Sequence, residues 1–575
     1  MYTLKKIEKE LTDDIQKVFR KYDVKSKIKI IKPNDLKKGD FSLPCFQLSD
    51  KFKKPPNKIA ILLKNELKKN PNIKRIDVVN GYLNFYLDQK KITKLIFESL
   101  KNLNEKFGYY TEKNKKIIIE HTSANPNGPL HVGRARNPII GDTIVRISKA
   151  IGYDVESQFY LDDMGKQVAI LNWGLENLKT KDVKINKRNK PDHQKVAYYQ
   201  KTVKLMKESI HISQQIQEIV KKSEKGDKKT LEDIKKTYKP VLKGINQSLN
   251  KLNIKIDKYI PESIFVKDRS VFKVVSKLNS QDFSKKEKNA RYIDLKKFGI
   301  SGRNTNFYYL REDGTTLYAT RDIAYHLWKA KNADILINIL GEDHKLESKQ
   351  VEIALKILNE KNLPKVVFYS FVSLPEGKMS TRKARVVFLD DLIDECIERA
   401  YLEVKKRRGD ELTEKEMKNI SEIVGVGAIR YNIIKVQPEK AIVFKWEEAL
   451  NFEGNSAPFI QYAHARASNI LKKNDKKISP PNKIMLKDIS EKNLVKKIAE
   501  FPEIIEKSFR EFKPHLIANY LYEFSSMFNL FYRDCPVLSE KNKELKNTRL
   551  FLVKSSRIVI KNGLDLLGIT APEEM

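Results

Sequence analysis

The chain has 575 residues, of which 40% are hydrophobic and 32% are charged, a balance that excludes wholesale disorder and indicates roughly two to four globular domains. Its 112 basic and 74 acidic residues give a net charge of +38, which favours a polyanionic partner, with nucleic acid ahead of a membrane surface. Part of this charge is compositional background, because the chain is rich in lysine, asparagine and isoleucine together.

The three cysteines, Cys45, Cys396 and Cys535, lie far apart in the sequence. Their odd number and wide spacing exclude a disulfide framework and a CxxC zinc pair, as is typical of a reducing compartment. The first residues form a charged amphipathic pattern rather than a signal peptide, and no apolar run approaches the roughly 18 residues of a membrane span. We therefore expect a soluble cytoplasmic protein, and we predict no metal-binding residues.

Residues 1–105 have the pattern of a small α+β domain. Helical periodicity alternates with short strand-like runs, and glycine-containing turn signals separate them. The predicted helices cover residues 4–21 and 57–69, and the predicted strands cover Lys27–Ile31, Ile76–Val79 and Tyr82–Leu87.

From Lys116 the pattern becomes strand, helix, strand, which is how a doubly wound parallel sheet begins. We predict an α/β, Rossmann-type domain over residues 106–400, with a lysine-rich helical insertion at about 174–300. Later runs predict strands at Phe307–Leu310, Thr315–Tyr318, Asp334–Leu340 and Val366–Val372. A helical junction over residues 401–455 and an all-helical domain over 456–575 complete the predicted organisation.

A first candidate site covers residues 120–134, from the end of a predicted strand to the start of a predicted helix. Ligands of open α/β sheets bind beyond the carboxyl ends of strands, and a helix N-terminus favours phosphate. His131 and Arg134 share a helical face, and Gly133 lets a ring or phosphate approach the backbone. His-Val-Gly-Arg alone is more often an ordinary turn, but the fifteen-residue context favours a polyphosphate site.

A second candidate site is the loop Pro375–Lys383, which follows a predicted strand and contains three cations, two hydroxyls and a glycine. Such a loop can close over phosphates and stabilise charge that develops in a transition state. A basic loop by itself is usually just solvated. Its pairing with the first site makes the functional interpretation much more specific.

These two segments resemble the HIGH and KMSKS signatures of class I aminoacyl-tRNA synthetases. The longer stretch EHTSANPNGPLHVGRARNPIIGD, followed by YLDDMGKQ, is similar to arginyl-tRNA synthetases, and most similar to the archaeal type. The resemblance covers essentially the whole chain. Residues 39–84 resemble the N-terminal domain of that family, and residues 461–466 and 566–572 resemble its helical anticodon-binding domain.

The resemblance implies an arginine–tRNA ligase that uses ATP and Mg²⁺, has tRNA(Arg) as its partner and acts as a monomer. It implies catalytic roles for His131, Arg134 and Lys378. The implied ATP-binding residues are Pro129, His131, Gly133, Arg134, Lys378, Met379, Ser380 and Arg382. The implied arginine-binding residues are Glu120, Ser123, Asn125, Gln167, Tyr318 and Asp322.

The chemistry of arginine supports this pocket independently of the resemblance. A guanidinium has five N–H donors in a planar fork, so its selection requires carboxylate and carbonyl oxygens. Glu120 and Asp322 supply carboxylates, Asn125 can orient the substrate, and Tyr318 offers an aromatic face. From spacing alone, Tyr318 and Asp322 are more often a core tyrosine and a helix cap.

The chain departs from the class pattern at two positions. Arg134 stands where most of the class has histidine, and Thr381 stands where it has its second lysine, which leaves open the cations that hold pyrophosphate. The role of Gly341–His344 is also open. Two other functions remain possible: a small-molecule nucleotidylyltransferase, and a catalytically inactive synthetase-like RNA-binding protein.

The helical C-terminal domain offers aromatic and basic side chains that could bind unstacked anticodon bases. Most of them are expected to lie in the helical core instead, and the sequence does not distinguish the two groups. The candidates are Tyr462, Arg466, Tyr520, Phe524, Phe528, Tyr532 and Arg533.

Overall fold

A computed structural model describes residues 2–33, 38–185, 188–300, 305–373, 387–474, 476 and 478–575. The N-terminal domain packs helices on a three-stranded antiparallel sheet of order β1-β3-β2. The predicted strand at Lys27–Ile31 is wrong, because Ile31 makes only an isolated bridge to Ser42. The elements are α1 (Thr3–Lys21), β1 (Phe41–Pro44), α2 (Ser49–Phe52), α3 (Pro56–Glu66), β2 (Ile73–Val79), β3 (Tyr82–Leu87) and α4 (Gln89–Leu103).

The central domain opens with alternating strands and helices, followed by a helical insertion. Three strands lie inside residues 174–300, which are predicted to be a helical insertion, and the first of these strands belongs to the main sheet. These elements are β4 (Lys116–Glu120), α5 (Arg136–Ala150), β5 (Asp154–Leu161), α6 (Lys166–Asn177), α7 (Pro191–Glu208), α8 (Ile210–Glu224), α9 (Lys228–Lys251) and β6 (Lys258–Pro261).

The second half of the central domain adds an antiparallel sheet of order β7-β8-β9 and returns to the main sheet. The predicted strand at Thr315–Tyr318 is wrong, since Thr316 makes only a single bridge and Tyr318 begins a helix. The elements are α10 (Ser263–Lys267), α11 (Ser270–Asn279), β7 (Ser284–Glu287), β8 (Ala290–Asp294), β9 (Asn306–Leu310), α12 (Tyr318–Asn332), β10 (Ile335–Gly341), α13 (Lys345–Ile357), β11 (Lys365–Tyr369) and β12 (Val372–Ser373).

The main sheet has five parallel strands in the order β11-β10-β4-β5-β6. Strand β4 is therefore flanked by β5 on one side and by the much later β10 on the other. The strand order reverses at this point, and a crevice opens beyond the carboxyl ends of β4 and β10. The middle of β4 is the fully buried run Ile117–Ile119, as expected of a strand covered on both faces.

The C-terminal region is almost wholly helical, and its core is continuous with that of the N-terminal domain. Phe97 packs against Phe551, and Phe107 against Phe501, so α4 and the segment after it rest on the C-terminal helices. The elements are α14 (Leu389–Arg408), α15 (Glu414–Ile434), β13 (Ile442–Val443), α16 (Trp446–Ala449), α17 (Ala457–Lys472), α18 (Ile489–Glu511), α19 (His515–Asp534) and α20 (Lys543–Leu566).

The three cysteines are buried and free. Within the described residues, no helix combines the length and the apolar character needed to cross a membrane.

A buried arginine joins the helical region to the sheet domain. Arg430, on α15, donates hydrogen bonds of 2.7 Å to the carbonyls of Leu567 and Leu252 and one of 2.6 Å to Asp142. Gly568 makes this possible, because a Cβ there would lie 2.1 Å from the guanidinium. One side chain thus ties together α5, the end of the insertion and the C-terminal helix.

Replacing Arg430 by methionine should lower the free energy of unfolding by about 2–5 kcal/mol. Methionine leaves two buried carbonyls without a donor, at about 1–3 kcal/mol each, while Asp142 keeps its pair with Arg146. The matched control is Arg533→Met, because Arg533 is 71% exposed and paired with Asp534, and such pairs contribute about 0–1 kcal/mol. Equal shifts of the urea midpoint for both variants would contradict this role.

Candidate active site

A cavity of about 320 Å³ lies at the carboxyl ends of β4 and β10. Five of the six residues predicted to bind arginine line it: Glu120, Ser123, Asn125, Tyr318 and Asp322. The sixth, Gln167, is not among the lining residues. Its side-chain oxygen accepts a 2.7 Å hydrogen bond from Asn127, so Gln167 supports the loop after β4 from outside.

The loop after β4 is held in a strained form. Thr122 and Ser123 have φ values of 73° and 33°, which are uncommon for residues with a Cβ. Asn137, on α5, stabilises this turn by accepting a 2.6 Å hydrogen bond from the Thr122 amide and by donating one of 3.0 Å to the Ile339 carbonyl. Asn137 thus spans the crevice, a role that sequence reasoning missed.

Glu120 is neutralised by a buried lysine that the sequence analysis did not single out. Its Oε2 lies 2.7 Å from Lys329 Nζ, and its Oε1 accepts a 3.3 Å hydrogen bond from the Ser123 hydroxyl. Lys329 has no exposed surface. Asp322, His326 and Lys329 form an i, i+4, i+7 stripe on α12, and this polar stripe was the available sequence signal.

Asp322 and Tyr318 belong to the first turns of α12. Tyr318 is 56% exposed at the rim of the cavity, whereas Asp322 lies deeper, with Oδ1 3.1 Å from His326 Nδ1. Burial raises the pKa of Asp322, but His326 and Lys329 outweigh it and leave that pKa below its ordinary value. Asp322 is therefore ionised at neutral pH.

The other end of the site is the turn that precedes α5. His131 begins a 3-10 turn, Val132–Arg134, and its Nδ1 accepts a 3.1 Å hydrogen bond from the Gly133 amide. Burial, together with the charge of Arg134, lowers the pKa of His131. The imidazole is consequently neutral at pH 7, and its proton is on Nε2, which remains available as a donor. Pro129 is half-buried just before this turn, and Arg134 is exposed and lines the cavity.

The chain returns to this turn after the second motif. Val132 donates a 3.1 Å hydrogen bond to the Val387 carbonyl, and Leu389 donates one of 2.8 Å to that of Leu130. The segment at residues 387–389, which follows the second motif in the sequence, is therefore held against the first motif. The predicted residues Lys378, Met379, Ser380 and Arg382 lie outside the described residues.

The segment Gly341–His344 lies at the carboxyl end of β10, and its first and last residues line the cavity. His344 lines the cavity, and its Nδ1 lies 2.9 Å from a carboxylate oxygen of Glu347. This hydrogen bond raises the pKa of His344. The Ser370 hydroxyl donates a 2.9 Å hydrogen bond to Glu342, which ties this turn to β11.

Comparison with known proteins places this geometry in a family. Residues 5–87 match the arginyl-tRNA synthetase N-terminal domain, residues 96–446 the catalytic domain of class I (R) tRNA synthetases, and residues 460–575 the DALR anticodon-binding domain. Arginine–tRNA ligase of Methanocella arvoryzae is 47% identical over 93% of both chains, and that of Methanococcus aeolicus is 43% identical over 100% of this chain and 98% of the relative.

The chain belongs to the arginyl-tRNA synthetase family. Thermus thermophilus arginyl-tRNA synthetase superposes with a TM-score of 0.84 at 27% identity, over 99% of this chain and 100% of that one. The enzyme of Plasmodium falciparum superposes with a TM-score of 0.81 at 21% identity over 99% of both chains, which shows a shared fold. The predicted fold class and family are confirmed.

The synthetase also contains a buried ionic network that joins the start of α7 to the start of α14. Among the described residues, Asp192, His193 and Asp390 form a group whose ligand atoms lie close enough to hold a metal ion. Lys190 Nζ, however, lies 3.0 Å from Asp192 and 2.7 Å from Asp390, so an ammonium already occupies the space between the carboxylates. Burial raises the pKa of Asp390, but hydrogen bonds from His193 and Lys190 hold it well below its ordinary value.

Because Lys190 supplies the positive charge of this network, we expect no resident metal there. Dialysis of the synthetase against EDTA, without ATP, should leave its unfolding temperature unchanged. A lower unfolding temperature that zinc restores would show that a metal ion, rather than the lysine, balances the carboxylates.

Proposed function

We propose that this synthetase ligates arginine to tRNA(Arg), with the cavity at the ends of β4 and β10 as the arginine pocket. The observation that carries the proposal is the ionised Asp322 facing a cavity that Glu120, Asn125 and Tyr318 also line. A fixed carboxylate in a partly buried cavity favours a permanent cation of matching shape. The family match argues against a small-molecule nucleotidylyltransferase, which needs neither terminal domain.

In the first step, a carboxylate oxygen of arginine attacks the α-phosphorus of ATP, which enters as its magnesium complex. A bond forms between that oxygen and the α-phosphorus, and the bond from the α-phosphorus to the bridging oxygen of the β-phosphate breaks. Arginyl-adenylate forms and pyrophosphate leaves. His131 Nε2–H donates to the developing charge, and Arg134 with the second motif holds the pyrophosphate.

In the second step, the 2′-hydroxyl of the terminal tRNA adenosine attacks the carbonyl carbon of the adenylate. The ester bond forms, the bond to AMP breaks, and the hydroxyl proton leaves with a phosphate oxygen of AMP. No side chain becomes covalently attached. The protein contributes position and electrostatic stabilisation.

The tRNA is proposed to contact the domains over residues 1–105 and 456–575. Tyr520, Phe524 and Phe528 are buried and belong to the helical core. Tyr462 and Tyr532 are 43% and 44% exposed, and Arg466 lies between them at 4.8 and 4.9 Å from their ring centres. Such a cluster supports stacking with unpaired bases.

We also propose that the enzyme acts as a cytoplasmic monomer. The buried free cysteines support a reducing compartment.

Aminoacylation of a tRNA(Arg) transcript tests the whole function. Absence of arginylation would favour a catalytically inactive RNA-binding relative.

His131→Ala should lower the rate of arginine activation roughly 10²- to 10³-fold, the usual effect of removing one preorganised donor to a transition state. The KM for arginine should barely change, because His131 is assigned to ATP. Single-turnover activation kinetics measure both effects, and His211→Ala, at an exposed position on α8, is the matched control. Normal activation by the His131 variant would show that this catalytic assignment is wrong.

Asp322→Asn should raise the KM for arginine roughly 10- to 150-fold, because hydrogen bonds between charged partners contribute about 1.5–3 kcal/mol. It should also reduce the preference of the enzyme for arginine over citrulline. In the wild type, the neutral urea end of citrulline leaves the carboxylate of Asp322 unpaired, and the amide of the variant does not carry that penalty. Steady-state aminoacylation with both amino acids is the measurement. The control is Asp233→Asn, on α9, where the carboxylate pairs with Lys236; similar kinetics for both variants would place the pocket elsewhere.

A further inference from the structure

A buried ammonium lies directly behind the arginine pocket. Lys329 Nζ is 2.7 Å from Glu120 Oε2, 3.0 Å from Asn338 Oδ1 and 3.2 Å from His326 Nε2. A lysine ammonium has three donors and no acceptor. These three contacts use its whole hydrogen-bonding capacity, and Lys329, His326 and Asn338 are at most 3% exposed.

The ammonium determines which way the Asn338 amide faces. Because Nζ can only donate, the amide atom beside it must be Oδ1, and Nδ2 then points at His326 Nε2, 2.7 Å away. Nε2 therefore meets two donors and must accept from them. A neutral imidazole carries one proton on its two nitrogens. Since Nε2 accepts hydrogen bonds, we assign the proton of His326 to Nδ1.

The protonated nitrogen of His326 faces Asp322, one helical turn earlier. Nδ1 lies 2.8 Å from the Asp322 main-chain oxygen and 3.1 Å from its Oδ1. It can donate to Asp322 while the ring stays uncharged. The carboxylate of Asp322 therefore remains negatively charged where it faces the cavity.

We propose that Lys329 is a positioning residue that determines which carboxylate of the arginine pocket is compensated by a positive charge and which is not. It neutralises Glu120 directly, and through the amide and the imidazole it keeps a positive charge away from the adjoining oxygen of Asp322. A guanidinium then meets the carboxylate of Asp322, which an uncharged imidazole contacts, rather than that of Glu120, which the ammonium already compensates. This inference rests on the proposed function, because it concerns how the same pocket selects its substrate.

The groups that act on His326 come from several elements. Helix α12 contributes Asp322 and Lys329, and β4 contributes Glu120. His344, on the turn after β10, adds positive charge near Asp322 and is itself held by Glu347. A proton on Nε2 would point at two donors, so the geometry places the single proton of the neutral imidazole on Nδ1.

Asn338→Asp tests the hydrogen-bonded connection from Lys329 to Asp322 with almost no change in the shape of the side chain. The new carboxylate still accepts from Lys329, but it presents an acceptor instead of a donor to His326 Nε2. An imidazolium then becomes the favoured form, and its added charge balances that of the new carboxylate. Asp322 would face a cation, so the KM for arginine should rise about ten-fold, while the KM for ATP should not change.

The decisive measurement is the ¹⁵N spectrum of the imidazole nitrogens in protein labelled with ¹⁵N-histidine. The signals of His326 are identified as those that disappear in the His326→Gln variant. In the wild type, Nε2 should be unprotonated and Nδ1 protonated. In Asn338→Asp, both nitrogens should be protonated. The matched control is Asn332→Asp, at an exposed position at the end of α12, which should change neither the spectrum nor the KM for arginine.

A wild-type spectrum with a proton on Nε2 would overturn the proposal without reference to any variant or to activity. An Asn338→Asp protein with an imidazolium but an unchanged KM for arginine would overturn its role in selection. If instead the wild type shows the assigned tautomer and does not activate arginine, the proposed function is what fails. The two failures are therefore distinguishable.

Discussion

The parallel pairing of β4 with both β5 and β10 is the constraint on which the site depends. In this register Asn338 of β10 lies directly opposite Glu120 of β4. The strand order reverses here, so the chain diverges on the two sides and leaves a crevice that neither helix layer covers. Residues more than 200 positions apart thereby meet at one cavity. A shift of this register by one residue would turn one of those side chains to the opposite face of the sheet.

The distribution of charge follows a simple division between interior and surface. The protein carries a large positive net charge, but several of the buried cations among the described residues have a carboxylate partner. Lys329 pairs with Glu120, Lys190 with Asp390, and Arg430 with Asp142. Leaving any buried charge without its partner is costly. The excess of lysine consequently lies on the surface, where it can meet a polyanion such as tRNA.

Much of this architecture could be predicted from local patterns. The run of isoleucines in β4 and the loop after it occur where strand and loop signals indicated. The predicted helical face of His131 and Arg134 is instead an extended residue followed by a 3-10 turn, and α5 begins only at Arg136. Strand β6 was missed, because four residues at a sheet edge have too little periodicity to stand out from a helical insertion. Lys329 was missed for a different reason: a lysine is ordinarily assigned to the surface, and its partners come from strands distant in sequence.

The terminal domains illustrate the same limit. Aromatic residues of α19 could be assigned to the core or to an RNA-binding surface, and only packing separates Phe524, which is buried, from Tyr532, which is exposed. Likewise, Lys27–Ile31 alternates like a strand, yet Ile31 alone finds a partner. Period and propensity define candidate elements, whereas long-range pairing decides which of them form.

ATP–pyrophosphate exchange with each of the standard amino acids and with citrulline, in the presence of tRNA(Arg), measures whether the cavity at the ends of β4 and β10 selects arginine for activation by ATP. We expect exchange that depends on arginine and is far weaker with lysine or citrulline. Exchange that is equally strong with citrulline, or that arginine fails to support, would contradict it.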